Sequence, residues 1–382
     1  MGAHDLLVVA GEASGDLHGA RLLSELRLRC PELRPFGLGS DELRAAGLDS
    51  VADSAEISVV GIVEVLKIYR RAKEIFDQLL AEVERRGART AVLVDFPDFN
   101  LRLAKQLHRR GVRVLYYISP QVWAWRKGRV KAIARDVDRM LVLFPFEVDF
   151  YRGHGVDALH VGHPLVDEVP SLEQAWSTRP PADGEPATVA LLPGSRRSEV
   201  AALLPSMLGA VERLAARRAI HVRLIEAPTI PSEHFETYLA DCQVPIERIR
   251  GDRFQAVADS HLALCASGTA TVEVGLLGTP MLVLYRLATT SYYLAKWLVD
   301  LPHFCMVNLV LGRGVVPELL QHEAEPQPVA DAALALLADP ERIAAMRAGL
   351  AELRPALGDS GASERAAEAV LERLAADEEP AA

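Results

Sequence analysis

Residues Leu6–Asp16 read LLVVAGEASGD, an apolar run that leads through two glycines into a polar segment. The apolar part predicts a buried parallel strand, and Gly11 and Gly15 allow a tight turn and close approach of a ligand to the backbone. Ser14 or Asp16 can cap the helix expected to follow. A ligand-binding turn and a turn that only packs fit this stretch equally well. The absence of a Walker A ending and of a G-x-G-x-x-G pattern argues against ATP and NAD.

The same strand-then-helix rhythm continues along the chain. Buried strands are predicted in the first half at Ala91–Asp95, Arg113–Ile118 and Met140–Phe144, and in the second half at Thr188–Leu192, Ile220–Ile225, Leu262–Cys265 and Met281–Tyr285. Helical patterns such as Ala20–Arg29, Ile68–Arg86 and Leu101–Arg110 lie between them. This alternation predicts an α/β fold of doubly wound parallel sheets with helices on both faces.

The chain is too long, at 382 residues, for one ordinary core. Prolines and glycine accumulate in Val169–Pro186, which is the predicted linker. We therefore expect a first Rossmann-like domain over residues 1–168, a second over residues 187–345, and a helical tail over residues 346–382.

Composition excludes several classes of protein. A net charge of −10 argues against a general nucleic-acid binder, which must neutralise phosphates. The four cysteines are far apart and form no C-x-x-C pair, so reduced thiols are expected rather than disulfides or zinc. No export signal is recognisable, and no apolar stretch approaches the roughly 20 residues that span a bilayer. We expect a cytoplasmic protein, soluble or peripheral to a membrane.

Two carboxylates follow the strand predicted at Ala91–Asp95. Asp95 ends an apolar run, where a charge is expected only if it caps a helix or takes part in catalysis. A carboxylate exposed in a cleft can accept a proton from an attacking hydroxyl. In the structural alternative, Asp98 caps the next helix and Asp95 fixes the turn. The sequence leaves both interpretations open.

The next strand leads into Ser119–Arg126, SPQVWAWR. Two tryptophans, a proline and polar groups at a strand end suit a sugar or lipid platform, and burial of the tryptophans in the core is the alternative. Asp136–Asp138 matches the D-x-D pattern of metal-dependent glycosyltransferases. It precedes a strand instead of following one, so it faces the wrong end of the sheet and no metal site is expected there.

Two turns of the second half suit an anion. The strand at Thr188–Leu192 opens into PGSRRSE, which offers a glycine, a hydroxyl and arginines, among them Arg196, at the start of a helix. The strand at Leu262–Cys265 leads to Ser267–Thr269, with Glu273 one turn into the next helix. Helix capping explains the second turn taken alone. Two such turns in one domain favour a nucleotide site, with phosphates at the helix N-termini and Glu273 on the ribose hydroxyls.

A set of motifs in this order resembles the lipid-A-disaccharide synthase family. The match runs from about Leu6 to Gln321, and Ser119–Trp125 is its most specific part. The motifs are VAGEASGD from Val9, GIVEVL from Gly61, DFPDFN from Asp95, SPQVWAW from Ser119, GHP from Gly162, LPGSR from Leu192, SGTATVE from Ser267 and VPELLQ from Val316.

The resemblance implies a GT-B fold, with two Rossmann-like domains and a ligand cleft between them. It implies inverting transfer of 2,3-diacylglucosamine from its UDP donor to 2,3-diacylglucosamine 1-phosphate. The products would be a β(1→6)-linked lipid A disaccharide 1-phosphate and UDP, with no cofactor or metal required. A homodimer is also implied.

Carried over by position, the resemblance also implies the site residues. Asp95 corresponds to the catalytic base, with Asp98 as the second candidate. The substrate-binding residues would be Gly11, Ser14 and Gly15 in the first domain, and Arg196, Ser267, Gly268, Thr269, Glu273, Asn308, Glu318 and Gln321 in the second. Arg196 would contact the diphosphate, and Ser267–Thr269 with Glu273 would form the UDP site.

Acylated substrates require access to a membrane. The segment Ile57–Tyr69 is largely apolar and is followed by Arg70, Arg71 and Lys73, a combination that suits the anionic cytoplasmic face of the inner membrane. A buried core helix is the alternative for this segment. Among rival functions, a UDP-N-acetylglucosamine 2-epimerase would share the fold and nucleotide site without needing an acyl surface. A non-catalytic lipid-binding protein would leave Asp95 without a purpose.

Overall fold

A computed structural model describes residues 4–57, 65–123, 127–171, 185–286 and 302–376. The chain forms two compact units, one of residues 1–164 with 359–382 and one of residues 165–358. Each unit is built on its own parallel sheet. The predicted α/β architecture with doubly wound sheets is confirmed.

The first unit contains a seven-stranded parallel sheet of order β3-β2-β1-β4-β5-β6-β7. Beyond the first residues of some of them, its inner strands are buried on both faces, as the apolar runs in most of these strands predict. The strands are β1 Asp5–Ala10, β2 Arg34–Gly39, β3 Asp49–Asp53, β4 Thr90–Val94, β5 Arg113–Tyr117, β6 Arg139–Val142 and β7 Ala158–His160.

Helices cover both faces of this sheet, and two clusters of buried side chains lie between the layers. The helices are α1 Ala13–Arg29, α2 Asp41–Ala45, α3 Val65–Arg86, α4 Pro97–His108, α5 Val130–Asp136 and α6 Pro145–Arg152, with short 3₁₀ turns at Ser54–Glu56 and Lys127–Arg129.

The second unit contains a six-stranded parallel sheet of order β10-β9-β8-β11-β12-β13. The strands are β8 Ala187–Leu192, β9 Ile220–Ile225, β10 Ile246–Ile249, β11 Leu262–Ala266, β12 Met281–Tyr285 and β13 Glu318–Leu320. The helices are α7 Leu165–Glu168, α8 Arg197–Ala215, α9 Glu233–Leu239, α10 Arg253–Ala258, α11 Thr269–Leu276, α12 Met306–Leu311, α13 Pro326–Leu337, α14 Pro340–Ala351 and α15 Leu353–Leu357, with a 3₁₀ turn at Gln321–Ala324.

The last helix, α16 at Ala362–Ala376, returns to the first unit. Its small side chains, including Ala366 and Val370, are buried in the same cluster as Leu22 and Leu26 of α1. The division therefore differs from the predicted one, in which residues 346–382 form a separate tail. Residues up to 358 stay with the second unit, and only the segment after them joins the first.

Both sheets reverse their strand order at one place, between β1 and β4 in the first and between β8 and β11 in the second. Ligands of open α/β sheets bind beyond the carboxyl ends of the strands at such switch points. The predicted motifs follow these four strands, so the topology brings them together in pairs, one pair in each unit.

Candidate active site

The switch point of the first sheet lies between Gly11, which follows β1, and Asp95, which follows β4. A Cβ atom at Gly11 would stand 2.2 Å from Cδ1 of Phe96, so only glycine leaves room for this ring. The ring also stacks on Phe99, with 5.5 Å between centroids. Gly11 therefore serves the turn that carries Asp95, even without a ligand.

Asp95 sits in a strained turn. It and Phe96 both have left-handed backbone angles, φ 46° and 49°, which for residues other than glycine cost about 1–3 kcal/mol each. The Asp95 N–H donates to the Tyr117 carbonyl at 2.9 Å. Its carbonyl accepts from the Tyr116 hydroxyl at 2.6 Å and the Asn100 amide at 2.8 Å. These contacts fix the backbone of Asp95, a partly exposed residue directly after the carboxyl end of β4.

Asp98 lies in the first turn of α4, and its side chain is 72% exposed. Its Oδ1 accepts a hydrogen bond from Arg129 at 2.6 Å. The N-cap residue of α4 is Phe96 and the first helical residue is a proline, so Asp98 does not occupy the cap position that the structural alternative gives it. Asp98 instead binds the turn at Lys127–Arg129.

The first glycine turn also differs from expectation in its capping. Helix α1 has no side-chain cap, so capping by Ser14 or Asp16 is wrong. Ser14 is exposed, and the buried Asp16 carboxylate accepts from the N–H groups of Ser40 at 2.6 Å and Glu42 at 3.0 Å. A Cβ at Gly15 would meet its nearest neighbours only at 3.7 Å, an ordinary contact. Gly11, not Gly15, is the glycine that the fold requires.

The turn after β5 is held by a carboxylate that the sequence analysis missed. Glu147 of α6 is 2% exposed, and its Oε1 accepts from the hydroxyl of Ser119 and from Trp123 Nε1, the latter at 2.9 Å. Its Oε2 accepts from the Phe144 N–H at 3.1 Å. Burial raises the pKa of Glu147 to about 7, against the lowering effect of these hydrogen bonds. Trp123 is buried, as in the alternative interpretation, and Trp125 lies outside the described residues.

The Gly162–Pro164 motif is tied to α16 within the first unit. Gly162 has φ 86°, and a Cβ there would stand 2.4 Å from Nη2 of Arg365. The Arg365 guanidinium donates to the carbonyls of Val161 at 2.9 Å and Asp359 at 2.6 Å. Burial lowers the pKa of His163 to about 3, so its imidazole is neutral.

In the second unit, the turn after β8 already holds a carboxylate. The N–H groups of Ser195 and Arg196 donate to Glu199 Oε2 at 2.9 and 3.3 Å. Gly194 has φ 116°, and a Cβ there would stand 2.5 Å from the same oxygen. The Arg196 side chain is 72% exposed and lies 3.4 Å from Glu199 Oε1. The guanidinium, rather than these two amides, is the group that this turn offers to an anion.

The turn after β11 is not covered by any of the described residues. Gly268 has φ 154°, and a Cβ built on it would meet no described atom within 4 Å. The Ser267 hydroxyl donates to the Phe304 carbonyl at 2.9 Å. Glu273 is mostly buried, and its Oε2 lies 3.3 Å from Nε of Arg253. Burial raises the pKa of Glu273, while the charge of Arg253 opposes the shift.

Asn308 is 1% exposed, and its side chain is saturated by hydrogen bonds. Its Nδ2 donates to the Val316 carbonyl at 2.8 Å and to Glu318 Oε1 at 2.6 Å. Its Oδ1 accepts from the N–H groups of Val315 and Val316 at 2.8 and 3.0 Å. An amide used in this way has no capacity left for a nucleotide, so Asn308 positions its neighbours.

Glu318 connects this network to the turn after β11. Its Oε2 accepts from the Phe304 N–H at 2.6 Å, and its Oε1 lies 3.3 Å from Nδ1 of His303. Phe304 also accepts the hydrogen bond from Ser267. Gln321 is partly exposed and has φ 53°. The carboxylate of Glu318 is thus connected to the predicted UDP turn through the backbone of Phe304, which hydrogen-bonds to both.

The D-x-D motif has structural partners. Asp136 is bound through both oxygens by Arg135, at 2.7 and 2.6 Å. Asp138 Oδ2 accepts from the Val114 N–H at 2.7 Å. Within the described ranges, no group of three or more His, Cys, Asp or Glu side chains is arranged to hold a metal ion.

The predicted membrane segment is only partly described. Ile57 is buried, residues 58–64 lie outside the described ranges, and Tyr69 is 61% exposed. Arg70 and Lys73 are exposed, whereas Arg71 forms ion pairs with Glu56 and Glu74. In the part of the chain that the structure describes, no helix is both long and apolar enough to cross a bilayer.

Sequence comparison decides the family. A family described as lipid-A-disaccharide synthetase (LpxB) matches residues 6–372. Lipid-A-disaccharide synthases of Myxococcus xanthus and Solibacter usitatus are 44% and 42% identical over 372 residues, and the alignments cover 97% of each chain. The chain belongs to the lipid-A-disaccharide synthase family.

Solved structures show that this lipid-A-disaccharide synthase family member has the GT-B fold. Staphylococcus aureus MnaA, solved with UDP, has a TM-score of 0.64 at 14% identity and covers 99% of each chain. The calicheamicin glycosyltransferase CalG4 has a TM-score of 0.59 at 18% identity, with 98% of this chain covered and 100% of that one. At such identities the similarity concerns the fold alone. A putative UDP-N-acetylglucosamine 2-epimerase of Listeria monocytogenes has a TM-score of 0.67 at 13% identity, with 100% of this chain and 99% of that one covered, which likewise shows the fold alone. The family match therefore favours lipid A disaccharide synthesis over the epimerase alternative.

Four site residues of this lipid-A-disaccharide synthase family member escaped the sequence analysis: Tyr116, Arg129, Glu147 and Arg253. Each forms a hydrogen bond with a residue at least 20 positions away in the sequence. The pairs are Tyr116 with Asp95, Arg129 with Asp98, Glu147 with Trp123, and Arg253 with Glu273. Only Glu147 could have been found from a pattern in the sequence. It is the third residue of a helix that begins with Pro145, where a carboxylate commonly accepts from the N-cap backbone.

Proposed function

We propose that Asp95 is the general base of lipid A disaccharide synthesis in this chain, and that the two turns of the second unit bind UDP. Family membership carries the reaction itself. The strained, triply hydrogen-bonded turn at the β1/β4 switch point carries the assignment of the base. Asp98 is the weaker candidate because its carboxylate binds Arg129.

In this mechanism the 6-hydroxyl oxygen of 2,3-diacylglucosamine 1-phosphate attacks the anomeric carbon of UDP-2,3-diacylglucosamine. The new C–O bond forms as the bond from the anomeric carbon to the diphosphate breaks, and UDP leaves with the electron pair. The hydroxyl proton passes to the carboxylate of Asp95. Displacement at the face opposite the leaving group inverts the anomeric centre and gives the β(1→6) linkage.

The departing diphosphate gains negative charge, and the proposal assigns its stabilisation to groups of the second unit. The exposed guanidinium of Arg196 is one proposed contact. The space that the described residues leave above Gly268 would let phosphates approach the N-terminus of α11, flanked by Ser267 and Thr269. Glu273, one turn further on, is the proposed ribose contact, with Arg253 balancing its charge.

Two assays test this function together. Mass spectrometry of the products should show disaccharide 1-phosphate only when donor and acceptor are both present, and no epimer from UDP-N-acetylglucosamine alone. Asp95→Asn should lower turnover by roughly 10²-fold or more, because the amide cannot take the proton, while UDP affinity stays unchanged. Asp98→Asn is the matched control, with a smaller expected loss. Near-normal turnover in Asp95→Asn would show that another group is the base.

We also propose that the chain binds the cytoplasmic face of the inner membrane through the surface formed by Tyr69, Arg70 and Lys73. An exposed aromatic ring next to the exposed cations of Arg70 and Lys73 supports this, since anionic lipids attract basic groups beside apolar ones. Substrates that carry acyl chains require such contact.

The homodimer implied by the resemblance belongs to the same proposal. One chain has a mass of 41.6 kDa, and sedimentation equilibrium of the full chain should give twice this mass. A single-chain mass across the concentration range would remove the dimer from the proposal and leave the reaction untouched.

A further inference from the structure

The turn at Ser119–Trp123 is closed by one buried carboxylate oxygen. The side chains of Ser119 and Trp123, at the two ends of the turn, both donate to Oε1 of Glu147. Tyr151, one turn further along α6, adds a third tie by donating to the Pro120 carbonyl at 3.0 Å. Of the five residues in this turn only Gln121 is exposed. The arrangement therefore presents one amide side chain at the tip of a turn held at both ends.

This turn lies beside the proposed base. Strands β4 and β5 are neighbours, and the N–H of Asp95 donates to the carbonyl of Tyr117, two residues before the turn begins. Ile118, which joins Tyr117 to the first residue of the turn, has φ 65°, an unfavourable angle for a β-branched residue. Strain at a sheet edge persists where surrounding contacts enforce it, and such positions concentrate at functional sites.

The use of a buried carboxylate also needs a reason. An apolar side chain of similar volume holds a loop against a core at least as well, because burying a charge is costly. What the carboxylate adds is direction, since its oxygens each face a fixed N–H donor, Trp123 Nε1 on one and the Phe144 backbone on the other. Glu147 therefore determines the position of the turn, and not only its burial.

We propose that Glu147 is a positioning residue, which holds the turn Ser119–Trp123 so that the amide of Gln121 binds an oxygen of the acceptor sugar beside Asp95. This rests on the proposed function, because it assigns the acceptor to the first unit. It makes Gln121 a contact residue and gives Glu147 no contact with substrate.

A double-mutant cycle on acceptor KM tests the proposal. Gln121→Ala should raise the KM for 2,3-diacylglucosamine 1-phosphate by about tenfold, the loss of one good hydrogen bond, without changing donor KM or UDP affinity. Glu147→Gln should raise the same KM, because an amide turns an N–H donor toward one of the two fixed N–H groups. The acceptor KM of the double variant should be no higher than that of the more affected single variant, since both substitutions remove the same contact, that of Gln121 with the acceptor.

Asp136→Asn is the matched control. This carboxylate is as deeply buried but lies at the other end of the first sheet, so its loss should lower Tm and leave acceptor KM unchanged. If Glu147→Gln does not fold, Trp123→Phe removes one of the same hydrogen bonds and should raise acceptor KM in its place.

An acceptor KM within twofold of wild type in Glu147→Gln would overturn the inference, as would multiplying effects in the double variant. These failures are distinct from failure of the proposed function. If the wild-type chain makes no disaccharide, the function itself is wrong. If it does, and Asp95→Asn does not, only the role of Glu147 is in question.

Discussion

Replacing Gly11 with alanine should displace the proposed base without touching it. The added methyl group would stand 2.2, 2.3 and 2.5 Å from three atoms of the Phe96 ring, whereas real Cβ atoms essentially never come closer than 3.0 Å. Ring and strand must separate by about 1 Å. Phe96 follows Asp95 directly and shares its left-handed turn, so the carboxylate must move with the ring.

The magnitude follows from that displacement. A misplacement of about 1 Å at a reacting group costs on the order of 10²-fold in rate, so kcat for disaccharide formation should fall by about that factor. Overpacking of this kind also destabilises by about 1–3 kcal/mol, which lowers Tm by several degrees. Calorimetry should give unchanged UDP affinity, because the proposed UDP site lies in the other unit.

Gly15→Ala, in the same turn, provides the comparison. Its Cβ would meet neighbours only at 3.7 Å, and it lies inside α1, so alanine should be neutral or stabilising by up to about 1 kcal/mol. Wild-type kcat and Tm in Gly11→Ala would refute the reasoning, since they would show that Phe96 moves away at no cost. Equal loss of Tm in both variants would refute it too, because the packing difference would then have no effect.

Three further outcomes are expected. Arg196→Ala and Glu273→Ala should each weaken UDP binding by about 1–3 kcal/mol; calorimetry with uridine separates them, because only the Glu273 variant should lose uridine, and equal losses for both ligands would contradict the assignment. Exchanging Arg70 and Lys73 for glutamate should abolish sedimentation with anionic vesicles at unchanged Tm, since each basic residue contributes about 1 kcal/mol near such a surface; retained binding would place the membrane contact elsewhere. The pKa of Glu147 is raised by burial from 4.5 to about 7, so the folded chain keeps a proton that the unfolded chain loses between these values. This group therefore stabilises the fold most below about pH 4.5 and loses about 3 kcal/mol as pH rises through 7. Tm measured from about pH 5 to 8 should accordingly fall less steeply in Glu147→Gln than in wild type, and parallel curves would contradict the raised pKa.

Apart from β2, the inner strands of both sheets were predictable because they are buried on both faces. Their sequences, such as TAVLV in β4 and LALCA in β11, need no partner to be recognised as buried strands. Glycine turns and a carboxylate directly after such strands marked both switch points. These are local signals, and the family motifs coincide with them.

The edge strands, and β2 beside the edge strand β3, were not predictable in this way. β2 contains a proline and two glycines, β3 is polar, and β7 and β13 have three residues each. Such segments form strands because a neighbouring strand offers its free backbone groups. The return of α16 to the first unit has the same kind of cause, since its alanines fit the surface of α1.

The sequence by itself determined the α/β class, the switch-point turns and Asp95 as a candidate base. Only the tertiary structure decided which polar groups serve those turns: that Asp98 binds Arg129, that Asn308 is saturated, and that Glu147 holds a turn 24 residues away in sequence. The physical reason is that a hydrogen bond depends on distances of a few tenths of an ångström between groups far apart in the chain. Burial patterns are recorded residue by residue in the sequence, whereas such partnerships exist only once the sheet has placed its strand ends side by side.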